Sequence, residues 1–175
     1  EMSASLVGSE MCIRDRPYIV SRAKARGMFI VLNPSPADSR LDEVDLDAIG
    51  CFVLNEGEAA MLTGAEEDGE TLIRAMRARF SQADIALTLG ERGSMYLRGD
   101  HVVTQSAYLV DTVDTTAAGD TFTGYLLADL MSDEPIAHAL DFAAKASALA
   151  VSRRGAAPSI PMREEVAVFT PCARA

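Results

Sequence analysis

Apolar residues fall along this chain in short unbroken runs that alternate with stretches in which they recur every three or four positions. Met28 to Leu32, Cys51 to Leu54 and Asp84 to Leu89 are runs of the first kind. Each stops abruptly, at Asn33-Pro34-Ser35-Pro36, at Asn55 and at Gly90 with Gly93, which predicts strands buried on both faces. Between the runs, Tyr18 to Arg26, Glu56 to Leu62 and Glu70 to Phe80 predict helices, the last with Leu72, Ile73, Met76 and Phe80 along one face. Gly27 and Gly64 stand just past the first two, where helices commonly end. Strands alternating with helices imply parallel pairing, hence an α/β fold with a mostly parallel sheet flanked by helices. Ser94 to Arg98 and His101 to Ser106 flank Gly99-Asp100, which predicts a β-hairpin. Ala117 to Met131, Ile136 to Val151 and Arg163 to Phe169 read as helices. Residues 1–16 keep neither period and are expected to be an unstructured or non-native leader, with one domain over 17–175.

Length and charge narrow the possibilities. A chain of 175 residues is about one domain long. The net charge of −10, with Lys24 and Lys145 the only lysines, opposes binding to nucleic acid or an anionic membrane. Phosphate groups remain possible ligands, since backbone N–H groups and helix N-termini hold them whatever the overall charge. Cys12, Cys51 and Cys172 are too few and too irregular for a disulfide framework or zinc site, and a cytoplasmic location is expected. Asp141 and Lys145 interrupt the apolar stretch from Ile136 to Val151, which makes it a packed helix and not a membrane span. Cys51, Met61, Met76, Met95 and Met131 are expected to pack in the core, and Arg153 with Arg154 to be a solvated pair. His101 and His138 lack metal-ligand or triad spacing and are read as surface or capping residues. No Gly-Lys-Ser/Thr phosphate loop occurs.

The chemistry concentrates in Asp114-Thr115-Thr116-Ala117-Ala118-Gly119-Asp120, an acidic turn directly before an apolar helix. Small residues at 117–119 let a ligand approach the backbone, and the N–H groups of a first helical turn carry partial positive charge. Asp120, in that same turn, could take the proton of a hydroxyl aligned with a phosphoryl group held there. The plainer alternative is that Asp114 or Thr115 caps the helix and Asp120 is a favourable first-turn acid.

The run Asp-Thr-x-Ala-Ala-Gly-Asp-Thr-Phe-x-Gly resembles the C-terminal signature of the ribokinase-like (pfkB-type) carbohydrate kinases, and is closest to ribokinase among them. Asn33-Pro34-Ser35-Pro36-Ala37, Asn55-Glu56-Gly57-Glu58, Thr88-Leu89-Gly90-Glu91-Arg92-Gly93 and the segment 152–159 follow in that family's order. The resemblance covers roughly residues 27–170. It implies an ATP-dependent phosphotransferase acting on a sugar hydroxyl, with Asp120 as base and the amides of Ala117, Ala118 and Gly119 as anion hole. It assigns Asn55 and Glu58 to magnesium through water, with the plain alternative of a helix cap. Thr88, Gly90, Gly93 and Gly119 are assigned to the nucleotide. Asp114, Thr116, Ala150, Arg153, Gly155 and Ser159 are assigned to a monovalent cation, usually potassium. ATP and a sugar are the implied partners, and a homodimer is implied for the full-length protein. Relatives often carry His or Asn where this chain reads Phe142-Ala143-Ala144-Lys145, so an adenine or ribose contact would be made differently. The family's N-terminal half, with its sugar pocket and β-sheet lid, has no counterpart in these residues. The alternatives are a truncated, non-catalytic nucleotide-binding or structural fragment, or a nucleoside or fructose-phosphate kinase of the same family.

Overall fold

In a computed structural model of the chain, residues 4–7 are described by their backbone and residues 14–66 and 68–172 in full. They form two compact units, one running to Thr88 and including Met95–Val102, the other comprising Leu89–Ser94 and the residues from Val103 onward.

In the first unit, strands β1 (Ala4–Val7), β2 (Phe29–Leu32), β3 (Cys51–Asn55) and β4 (Asp84–Thr88) pair in parallel, and helices α1 (Arg16–Lys24), α2 (Glu56–Thr63) and α3 (Gly69–Arg79) pack on them. β5 (Ser94–Arg98) and β6 (His101–Gln105) extend the sheet to six strands in the order β1-β2-β3-β4-β5-β6. A two-residue turn joins β5 to β6, so that pair is antiparallel, as the hairpin pattern predicts. The apolar runs lie where two-sided burial requires: Ile30, Val31, Leu32, Phe52, Val53, Leu54, Ile85, Ala86 and Leu87 are all at most 2% exposed. The apolar face of α3 is buried as well, and the rings of Phe52 and Phe80 lie 4.6 Å apart. Each such side chain contributes about 1.5–3 kcal/mol by leaving water. Gly64 closes α2 in the left-handed conformation at φ 70°.

Several details depart from expectation. Ala4–Val7 form a strand within the expected leader, while residues 1–3 and 8–13 lie outside the described residues. β1 covers the edge that β2 would otherwise leave open, and such pairing satisfies backbone groups whatever the side-chain period. Helix α1 starts at Arg16, two residues early. Between β2 and β3 there is no α-helix; short 3-10 turns at Ser39–Glu43 and Leu46–Ala48 tuck Leu41, Val44 and Ile49 into the core. Met76 and Met95 are buried, but Met61 and Met131 are 59% and 49% exposed. Cys51 is buried in β3, and burial pushes its thiol up to about 12.

The second unit contains α4 (Ala118–Met131), α5 (Ile136–Val151) and α6 (Arg163–Val168). A four-residue link forces α4 and α5 antiparallel, and Val166 of α6 packs against Phe142 and Ala146 of α5. Among the described residues no helix is long and apolar enough to cross a membrane. Gly93 sits at φ 103°, where a Cβ atom would lie 2.0 Å from the Gln105 carbonyl oxygen. Both conformation and space exclude a side chain here. Gly93→Ala should therefore destabilise the protein by about 1–3 kcal/mol or more; an unchanged urea midpoint would contradict this.

Candidate functional site

Two groups of the residues singled out by sequence are built by local structure, one in each unit. In the first, the register of β3 against β4 sets Asn55 beside Thr88 at the carboxyl ends of adjacent parallel strands. Ligands of open α/β sheets bind outside this edge. The Thr88 hydroxyl donates to the Leu54 carbonyl at 3.4 Å. Asn55 caps α2: its Oδ1 accepts from the Glu58 N–H at 2.9 Å, and Glu58 Oε2 accepts from the Asn55 N–H at 2.9 Å. The reciprocal capping box is thus real. It fixes Asn55, which is exposed, and Glu58, which is buried, in one geometry at the helix start.

In the second unit the acidic turn does something other than cap. The Asp114 carboxylate accepts from the Thr116 N–H at 3.0 Å and from the Thr116 hydroxyl through Oδ1, and from the Gly155 N–H at 3.0 Å through Oδ2. The Thr116 hydroxyl first, then the two amides, hold this carboxyl below the ordinary carboxylate range. Helix α4 begins with no side-chain cap, because its N-cap residue is Ala117. The Ala118 N–H turns back to the Thr115 carbonyl at 3.2 Å, and the amides of Gly119 and Asp120 have no backbone acceptor among the described residues. Ala117 is buried, whereas Gly119 and Asp120 are exposed. The result is an open, uncapped first turn with a carboxylate in it, a suitable cradle for an anion undergoing proton-coupled chemistry.

The expected cation residues also lie in the second unit. The Val113 and Asp114 N–H groups donate to the Val151 carbonyl at the end of α5, at 2.8 and 3.1 Å, and the Arg153 N–H donates to the Ala150 carbonyl. Ser159 is buried, its hydroxyl donating to Ala156 O at 2.7 Å. The Arg153 side chain, partly exposed beside the exposed Arg154, pairs with Glu165 at 2.6 Å, which in turn accepts from the Met162 N–H. Gly90 and Gly93 flank the turn after β4, where the Leu89 N–H meets the Gly93 carbonyl at 2.8 Å. Among the described residues no three His, Cys, Asp or Glu side chains converge on a metal-sized point.

A family model described as pfkB family carbohydrate kinase matches residues 18–163. The chain belongs to the pfkB family of carbohydrate kinases. It is 40% identical over 157 residues to a ribokinase of Staphylococcus aureus, covering 86% of this chain and 51% of that protein. It is also similar to the solved structure of Arabidopsis thaliana ribokinase complexed with ribose and ATP, with TM-score 0.80 and 29% identity over 90% of this chain and 53% of that one. The structure of Cryptococcus neoformans ribokinase in complex with ADP matches with TM-score 0.80 and 25% identity over 94% of this chain and 59% of that one. The chain spans about half the length of the curated relatives it matches.

Three polar features of this pfkB-family chain escaped sequence reasoning. Lys145, in the segment departing from the usual His or Asn, is held by Asp141 at 2.9 Å, and the Tyr108 hydroxyl donates to the other carboxylate oxygen. The four-residue spacing of Asp141 and Lys145 signals their pairing; nothing local points to Tyr108. Asp129 is fully buried, with Arg163 at 2.7 Å and the Nδ1 of His138, an exposed residue as expected, at 3.3 Å. The Ser147 hydroxyl reaches from α5 to the Ala118 carbonyl at 3.1 Å. Of these centres, the Asp114 turn is the most direct to test. Asp114→Ala should speed amide hydrogen exchange at Thr116 and Gly155 while leaving Asn55 and Glu58 protected; unaltered exchange at Gly155 would show that the carboxylate does not hold that loop.

Proposed function

We propose that this chain is the nucleotide-binding and catalytic part, over residues 17–175, of an ATP-dependent kinase that phosphorylates a sugar hydroxyl. The uncapped start of α4 carries the reading: its N-cap is Ala117, which has no side-chain acceptor, and the Asp114 carboxylate three residues earlier is committed to Thr116 and Gly155. Ser, Thr, Asp or Asn is the ordinary choice at the position that Ala117 holds. The S. aureus relative and the ribose- and ATP-bound Arabidopsis structure support sugar and ATP as the reactants, with ribose the first sugar to try. The N-terminal half of the kinase, supplying sugar pocket and lid, belongs to the same proposal, as do a cytoplasmic location and a homodimer for the full-length protein.

In this reading the γ-phosphate of ATP rests on the amides of Ala117, Ala118 and Gly119, of which, among the described residues, only that of Ala118 is already bonded, to the Thr115 carbonyl. Asp120 accepts the proton of the sugar hydroxyl while its oxygen bonds to the γ-phosphorus and the bond to the departing ADP oxygen breaks. Preorganised amides that cost no reorganisation provide much of the acceleration. Thr88, Gly90 and Gly93 line the nucleotide. Asn55 and Glu58, oxygen ligands locked together at a helix start, suit magnesium held through its waters, which when present neutralises phosphate charge. The Asp114 carboxylate, set against the carbonyl end of α5 where helix polarity is negative, suits a monovalent cation such as potassium. Thr116, Ala150, Arg153, Gly155 and Ser159 would complete that set, largely through backbone oxygens.

The test is ADP release by the protein expressed from its complete reading frame, with ATP, magnesium, potassium and a panel of sugars. Asp120→Asn should lower kcat by about 10²–10⁴ with little change in nucleotide affinity. Unchanged turnover would remove Asp120 as the base; no ADP release from the wild type with any sugar would favour a non-catalytic nucleotide-binding protein.

A further inference from the structure

Behind the open turn of α4 lie two hydroxyls that the reaction as described does not use. The Ser147 Oγ, half-buried on α5, donates to the Ala118 carbonyl at 3.1 Å from 29 residues away in sequence. The Thr123 Oγ1, buried on α4 itself, donates to the Gly119 carbonyl at 2.8 Å. A serine inside a helix commonly bonds back to the carbonyl four residues earlier in its own helix; Ser147 instead crosses to its neighbour. The two acceptors are consecutive. Each carbonyl shares a rigid peptide plane with the next residue's N–H. The Ala118 carbonyl belongs to the plane of the Gly119 amide, and the Gly119 carbonyl to the plane of the Asp120 amide. Those are the two first-turn amides without a backbone acceptor.

A helical carbonyl already accepts the N–H four residues on. A second donor on its remaining lone pair polarises the whole amide further and increases the positive charge on its N–H, the cooperativity seen in hydrogen-bond chains. From this arrangement we infer that Ser147 and Thr123 are positioning residues, which strengthen and orient the Gly119 and Asp120 amides toward charge developing on a transferring phosphoryl group. The inference rests on the reading of this turn as the phosphoryl cradle. Neither hydroxyl touches the ligand. Their effect reaches it through the peptide planes, so it grows with ligand charge: strongest for the transition state, weak for bound nucleotide.

Removing a whole donor of this kind costs about 10²–10³ in kcat and cooperative strengthening is about 10–30% per bond, so each hydroxyl should be worth about two- to eightfold. Ser147→Ala and Thr123→Val, made in the protein from its complete reading frame, should each lower kcat by that factor with KM for ATP and sugar unchanged. Affinity for ADP with aluminium fluoride, a planar mimic of the phosphoryl group, should weaken in step while affinity for ADP alone stays the same. Ser147→Thr and Thr123→Ser, which keep the hydroxyl, should retain wild-type behaviour. If Ser147→Ala fails to fold, Ser147→Cys, close in size but a weak donor, carries the same expectation. A lowered Tm with kcat and mimic affinity intact would make both residues mere pins between helices and overturn the inference. Should wild type itself bind ADP with aluminium fluoride no more tightly than ADP, the cradle reading fails first, and this inference with it.

Discussion

One carboxylate organises the second unit. Asp114 accepts three hydrogen bonds, two from Thr116 and one from Gly155, across 41 residues of sequence. Asp38 accepts from the Arg40 N–H two residues on, and Asp68 from the Thr71 N–H three residues on; in each case the side chain serves the turn that immediately follows. Asp114 works instead as a clasp between the residues leading into α4 and those leading out of α5. The same entry segment meets the end of α5 through the Val113 and Asp114 amides on the Val151 carbonyl, so the start of one helix is registered to the end of the other. With the loop secured from behind, the amides of α4 need not be consumed in securing it. With Ala117 at its N-cap, the first turn stays open.

The first unit reaches similar rigidity by the opposite device. There the ladder between β3 and β4 decides where Asn55 and Thr88 emerge, and the capping box then locks Asn55 to Glu58. Cap and ligand roles need not compete. The Glu58 contact to the Asn55 N–H uses one carboxylate oxygen, and a carboxylate offers about four acceptor positions in all. A cap that immobilises the side chain also prepares it for a second partner, because its conformational entropy is already spent.

Much of this was legible in the sequence because strand burial and helix periodicity are local properties. The strands at 29–32, 51–55 and 84–88, the hairpin and the three helices of the C-terminal part all fall within a residue or two of their apolar patterns. Glu58 lies three residues after Asn55, and that spacing announces the box. What escaped detection is nonlocal. The Tyr108–Asp141 contact, the Asp129–Arg163 pair and the reach of Ser147 to Ala118 join residues 33, 34 and 29 positions apart, and no periodicity encodes which of many surface-polar residues will meet. Strand β1 is illegible for a related reason, since pairing onto the edge of β2 uses backbone groups that every residue carries. Met61 and Met131 mislead in the other direction: methionine on a helix reads as core, yet its flexible thioether tolerates the surface as well.

A net charge of −10 sets a question for the proposed reading, and its resolution lies in which groups would approach a phosphate ligand. Lys145 is engaged by Asp141, Arg153 by Glu165 and Arg163 by Asp129, so these cations serve the fold. In the proposed reading, positive potential for an anion would come instead from backbone N–H groups at the head of α4, which are fixed in direction and carry no titratable proton. Such dipoles act only at short range, whereas a field of lysines would attract any polyanion from a distance. An acidic surface combined with a small backbone cradle would therefore select a compact phosphate presented at contact distance. That is the selectivity a phosphoryl-transfer site needs among the many polyanions around it.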